Sequence, residues 1–192
     1  MLELGNHYFD QKDFDGFEKA YEWYEKAAIT GSSQGILMAI NQCALLGAIH
    51  QSKGFQLWEE ALQNWLSVQK WIRVAWKDLS LDSDTLSKIQ CQFEESNYSI
   101  AYIYCRLKRY SDALNILCSS NETPSLLLKG ICTYSLAIAE GNKGYLMEAF
   151  KMLSVIEEDL DYVANEKPEE EEYVFSIAVY FLSSFYHIKI SA

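Results

Sequence analysis

The sequence predicts an all-α protein. Apolar residues recur at helical spacing along nearly the whole chain. Only 2 Pro and 9 Gly occur in 192 residues, too few for the many turns of a sandwich or barrel this long. Both prolines and most glycines fall where the helical pattern breaks, so the local signals agree with one another. Hydrophobic residues make up 49%, enough to bury a sizeable core, which excludes a disordered chain.

About nine helices can be read in order. Leu2–Lys12 is a short helix, followed by the turn before Gly16. Phe17–Thr30 is the second, with Phe17, Ala20, Tyr21, Tyr24, Ala27 and Ala28 on its apolar side. Gly31 suits a left-handed C-cap, and Ser32 or Ser33 can N-cap the next helix, Gln34–His50. Lys53 and Gly54 break the pattern. A long helix then runs from Phe55 to about Leu79, with Trp58, Ala61, Leu62, Trp65, Val68, Ile72, Ala75 and Trp76 on one broad face. Ser and Asp in the segment LDSDTLS cap a helix reaching Lys108, and Tyr110–Ser119 is short. Pro124 fits the first turn of a helix to Glu140. Tyr145 to about Val163 follows the turn EGNKG. The last helix, Glu169–Ile190, starts beside Pro168. Short turns between these helices imply antiparallel neighbours, which leaves an α-solenoid and a compact bundle both open.

Charge narrows the function. The net charge is −11, and phosphate affinity rests on Lys and Arg, so nucleic acid is excluded as a partner class. The acidity is concentrated. Glu157 to Glu172 holds nine acids and one Lys, a local −8, and Glu169, Glu170, Glu171 and Glu172 form its densest part. Acids at a helix start suit the macrodipole; as a patch they would attract a basic partner. The start of the chain has no basic region or apolar run of a secretory signal, and no stretch reaches the roughly 18 apolar residues of a membrane span. Five cysteines, at 43, 91, 105, 118 and 132, lie in helical patterns, odd in number and without CxxC. Free buried thiols in a reducing cytoplasm are the natural expectation.

Repeats separate solenoid from bundle. Ala20, Trp23, Tyr24, Lys26, Ala27, Ala28 and Gly31 make an A-x-x-W-Y-x-K-A-A-x-x-G string, and Leu4, Gly5 and Tyr8 an L-G-x-x-Y just upstream. The stretch resembles the Sel1-like form of the tetratricopeptide repeat (TPR). The packing reason is that Gly and Ala let two helices approach while a large ring fills the space beside them. A second match lies at Glu94–Leu127, with Ile100, Ala101, Tyr104, Ala113, Leu117 and Pro124. A looser third has Leu127, Leu128, Gly130, Ala149 and Phe150. The Trp-rich helix between the first two departs from the period of about 34 residues. The resemblance implies one solenoid domain over 1–192, with pairs at approximately 1–31, 32–80, 84–120 and 123–164 and a capping helix at 168–190. It implies a right-handed superhelix whose concave face, lined by the first helix of each pair, binds proteins or peptides. On that geometry Asn6, Asp10, Asn41, Tyr98, Tyr102, Arg106 and Tyr134 line the inner face. A carboxylate clamp is disfavoured: Asn6 matches one clamp position, but the clamp lysine of the same helix is replaced by Leu2.

Candidate chemistry is thin. His7, His50 and His187 stand in no HxxxH or HExxH, and read as solvated or singly hydrogen-bonded side chains. The even spacing of Cys91, Cys105, Cys118 and Cys132 reads as small residues at helix contacts. No phosphate loop and no GxSxG occurs. The tryptophans at 58, 65, 71 and 76 read as core, with Trp71 nearest the edge of the stripe and expected to be the most exposed. The expected function is a non-catalytic, cytoplasmic scaffold or adaptor for a protein or peptide, with no cofactor, no metal and no membrane insertion. An acidic chaperone for one client is the first alternative. A small-ligand sensor or enzymatic piece of a larger protein is the second. Met1 stands inside the first helix with no cap before it, as in a fragment of a longer chain.

Overall fold

A computed structural model describes residues 1–78, 81–120 and 123–163. Among them every regular element is helical. The order is α1 (Leu2–Phe9), α2 (Phe14–Ile29), α3 (Ser33–Ser52), α4 (Trp58–Asp78), α5 (Ser83–Arg106), α6 (Tyr110–Leu117), α7 (Thr123–Glu140) and α8 (Lys143–Val163). The expected ninth helix, at 168–190, lies outside the described residues.

Side-chain caps set four of the described helix starts. Asp13 accepts from the Gly16 amide at 2.6 Å, so α2 begins three residues before the expected Phe17. Ser32 accepts from Gly35 at 3.1 Å, Asp82 from Thr85 at 2.8 Å and Asn142 from Gly144 at 2.9 Å. Several of the described ends are followed by left-handed residues. Gly31 has φ +84° beyond α2, and the Ser32 amide reaches back to the Ala27 carbonyl at 3.1 Å. Two lysines take the same conformation, Lys12 at φ +56° after α1 and Lys108 at φ +60° after α5. They stop those helices earlier than the apolar pattern suggests. Gly54, at φ +88°, precedes a single 3-10 turn, Phe55–Leu57, so the long fourth helix starts at Trp58.

The chain divides into two compact units, the first Met1–Ile103 and the second from Tyr104 onward. In the first, α1 packs on α2, α2 on α3 and α3 on α4. The core runs along Ala20, Tyr24 and Ala27 of α2, Ile36, Ile40 and Cys43 of α3, and Trp58, Leu62, Trp65 and Ile72 of α4. Burying one such large apolar side chain contributes about 1.5–3 kcal/mol. α5 joins this unit through Gln69, whose Nε2 donates to Asn97 Oδ1 at 2.7 Å, and through Trp76 against Phe93, ring centroids 5.0 Å apart. The buried Gln42 is satisfied by the Phe17 carbonyl at 2.9 Å.

Trp71 corrects the reading of the tryptophan stripe. It is only 4% exposed, whereas Trp76 is 39% exposed. The cause is that α4 is covered from two sides. α3 takes the main stripe, and Tyr21 and Glu25 of α2 reach Trp71 and Lys70. The cysteines need a correction too. Cys43 and Cys132 are buried and Cys105 is intermediate, but Cys91 and Cys118 are exposed. Cys91 is exposed whereas Ile89, two residues before it on α5, is buried, and Cys118 lies just past the last residue of α6.

In the second unit α7 packs on both α6 and α8. Its core includes Ala113, Leu117, Leu128, Cys132, Ala149 and Leu153. Lys129 is buried here, 8% exposed, with its ammonium on the carbonyls of Ser120 and, at 3.5 Å, Cys118. A cation on carbonyls just beyond the C-terminus of α6 complements the helix dipole. No helix among the described residues is long and apolar enough to cross a membrane.

Candidate functional site

Among the described residues an open groove between helices lies in each unit. In the first unit the groove has a volume of about 470 Å³ and lies between α3 and α5. Leu37 and Asn41 form one wall; Thr85, Ser87, Lys88, Ile89, Cys91 and Gln92 form the other. Gln92 Nε2 donates to Asn41 Oδ1 at 2.7 Å across it. That bond uses one donor and one acceptor of the two amides. Asn41 Nδ2 and Gln92 Oε1 still offer N–H donors and a carbonyl acceptor, the complement of a peptide group. α3 contributes no Asp, Glu, Lys or Arg along its 20 residues, so this wall is neutral. Lys88 on the opposite wall is paired with Asp84 at 2.7 Å.

The groove of the second unit, about 380 Å³, lies between α6, α7 and α8. Leu114, Leu136, Tyr145 and Met152 supply its apolar surface, and Ser111, Asn115, Thr133 and Glu148 its polar groups. Lys129 also lines it. Both grooves fall in the size range of ligand sites, of order 300–1,000 Å³.

The residues anticipated for an inner face are distributed as follows. Asn6 and Asp10 are exposed on and just beyond α1, and both act on Tyr24. The Tyr24 hydroxyl donates to Asn6 Oδ1 at 2.8 Å, and burial followed by the Asp10 charge pushes that hydroxyl's pKa up. Asn41 is exposed in the α3–α5 groove. Tyr98 and Tyr102 are half-buried on α5 within the first unit. Arg106 and Tyr134 belong to the second unit, the first exposed and the second half-buried. The set therefore spans both units, and Asn41 lines the first of the two grooves described above. Glu169, Glu170, Glu171 and Glu172 lie outside the described residues, as does His187.

Sequence spacing missed Gln92, which stands 51 residues from its partner Asn41. It also missed Lys129, Thr133 and Asn115, which meet only through the packing of α6 on α7. No local pattern carries a signal for either juxtaposition. His50 is buried, with Nδ1 2.9 Å from Asn64 Nδ2, a singly hydrogen-bonded histidine. Burial pushes the Cys43 thiol up to about 12, so this thiol stays protonated beside Tyr21. Among the described residues no group of three or more His, Cys, Asp or Glu is placed to hold a metal ion. No protein-family model, no curated protein and no solved structure matches the chain.

Proposed function

We propose that this chain is a non-catalytic scaffold or adaptor of tetratricopeptide-like helix pairs, which binds a protein or peptide segment along the first helices of its pairs. One observation carries the reading: Asn41 on α3 and Gln92 on α5 meet at 2.7 Å. In a helix-pair solenoid the first helices of successive pairs lie side by side, and α3 and α5 are the first helices of the second and third pairs. Their shared groove is neutral along α3 and ends in amides that match a peptide backbone in an extended segment.

A random peptide library displayed against the full chain tests this. The expected result is an enriched consensus whose binding shifts amide resonances of α3 and α5. It should weaken about tenfold in Gln92→Ala, the loss of a hydrogen bond worth about 1.4 kcal/mol. No enriched sequence, or an enriched one that binds Gln92→Ala and Asn41→Ala as tightly as the parent, would overturn the reading.

A further inference from the structure

We propose that the groove of the second unit is a binding site for a free α-amino acid with an apolar side chain. It belongs to a different unit from the α3–α5 groove and does not depend on a peptide binding there. Lys129, Thr133 and Leu136 reach it from α7, spaced so that they share one helix face. Glu148 and Met152, one turn apart on α8, and Leu114 of α6 line it too.

Two of the polar groups are buried, Lys129 at 8% and Thr133 at 4% exposure. The Lys129 ammonium donates to the carbonyls of Ser120 and Cys118. An ammonium has three donors, so one remains. Among the described residues no carboxylate lies within ion-pair distance of it. Thr133 Oγ1 makes no hydrogen bond among the described residues, whereas Ser135 on the same helix bonds back to the Ile131 carbonyl at 2.8 Å. A buried cation without an anion, one turn from a free hydroxyl, suits a carboxylate: one oxygen takes the ammonium and the other the hydroxyl.

The other end of the ligand follows from Glu148. This side chain is exposed, lines the same groove and forms no ion pair with Lys129. Its carboxylate complements a ligand ammonium. Leu114, Leu136 and Met152 supply the apolar surface for a side chain. The volume of about 380 Å³ lies near the lower end of the range for ligand sites, which fits one small molecule. An inorganic anion would leave both Glu148 and the apolar residues unused, and a plain fatty acid would leave Glu148 unused.

Calorimetric titration of the full chain with L-leucine, L-phenylalanine, isocaproate and isoamylamine tests this. Isocaproate is leucine without its amino group, and isoamylamine is leucine without its carboxylate. Expected is saturable binding of L-leucine or L-phenylalanine, with amide resonance shifts in α6, α7 and α8. Isocaproate and isoamylamine should each bind about tenfold more weakly than L-leucine, the loss of one charged contact. Glu148→Gln, at an exposed position, should abolish the advantage of L-leucine over isocaproate. Thr133→Val should weaken both by about tenfold. No saturable binding of either amino acid, or isocaproate bound as tightly as L-leucine by the parent chain, would overturn the site. So would an advantage of L-leucine that survives Glu148→Gln. These readouts stand even if the Thr133 variant fails to fold.

Discussion

Gly5 of α1 lies against the ring of Tyr24 in α2, so closely that a Cβ on Gly5 would sit 2.4 Å from Tyr24 Cε1. The ring in turn sends its hydroxyl back to Asn6, one residue along the same helix, at 2.8 Å. The first hairpin is therefore keyed by a missing side chain and a hydrogen bond on neighbouring residues. Gly5→Ala should destabilise the first unit by about 1–3 kcal/mol, the range for overpacking a fitted contact. Urea unfolding of Gly5→Ala, Tyr24→Leu and the double variant checks it. Additive losses would mean the two residues are not coupled.

Lys108 marks a place where the chain holds left-handed backbone without glycine, at φ +60°. Lys108→Gly should stabilise the protein by about 0.5–1 kcal/mol, since the Cβ penalty disappears. Gly31→Ala, at φ +84° with open space around the new methyl, should cost a similar amount. A thermal melt that moves the same way for both variants would contradict the argument.

Lys129 is the cation at the end of α6, and its removal leaves carbonyls of Cys118 and Ser120 without their donor. Lys129→Met should lower stability by about 1–3 kcal/mol. The loss should be local, read as faster amide exchange in α6 while α2 to α4 keep their protection. Uniform acceleration across both units would count against a local role.

Asp82 gives a pH dependence with a defined sign. The Thr85 amide and then the Thr85 hydroxyl hold its carboxylate pKa below the ordinary value. The folded chain therefore takes up this proton less readily than the unfolded chain. The cap's contribution is complete above the ordinary carboxylate value, near pH 4, and is lost as the pH falls through the lower folded value. Carbon-detected titration of the Asp82 carboxyl should follow that displaced curve. In Asp82→Asn, fraying of the first turn of α5 should lose this acid dependence.

How far the sequence carried these conclusions differs by element. Gly31, Gly54 and Gly141 all adopt positive φ and stand at breaks visible in the pattern. The caps Ser32 and Asp82 were legible because a Ser or Asp at a helix start has one local use. Lys12 and Lys108 were not legible, because lysine carries no turn signal. Trp71 was misread because a single helix pattern shows one stripe, whereas α4 meets both α3 and α2. In the candidate groove Asn41 was anticipated and Gln92 was not. Their meeting depends on how α5 lies on α3, which neither helix encodes by itself.

All five tryptophans, at 23, 58, 65, 71 and 76, belong to the first unit. Emission excited at the red edge of protein absorbance therefore comes from that unit alone, and mostly from rings shielded from quenchers. Circular dichroism sums the helices of both. Overlaying the two signals during denaturation is a built-in test of cooperativity: a lag between them would measure the stability of one half against the other, with no label attached.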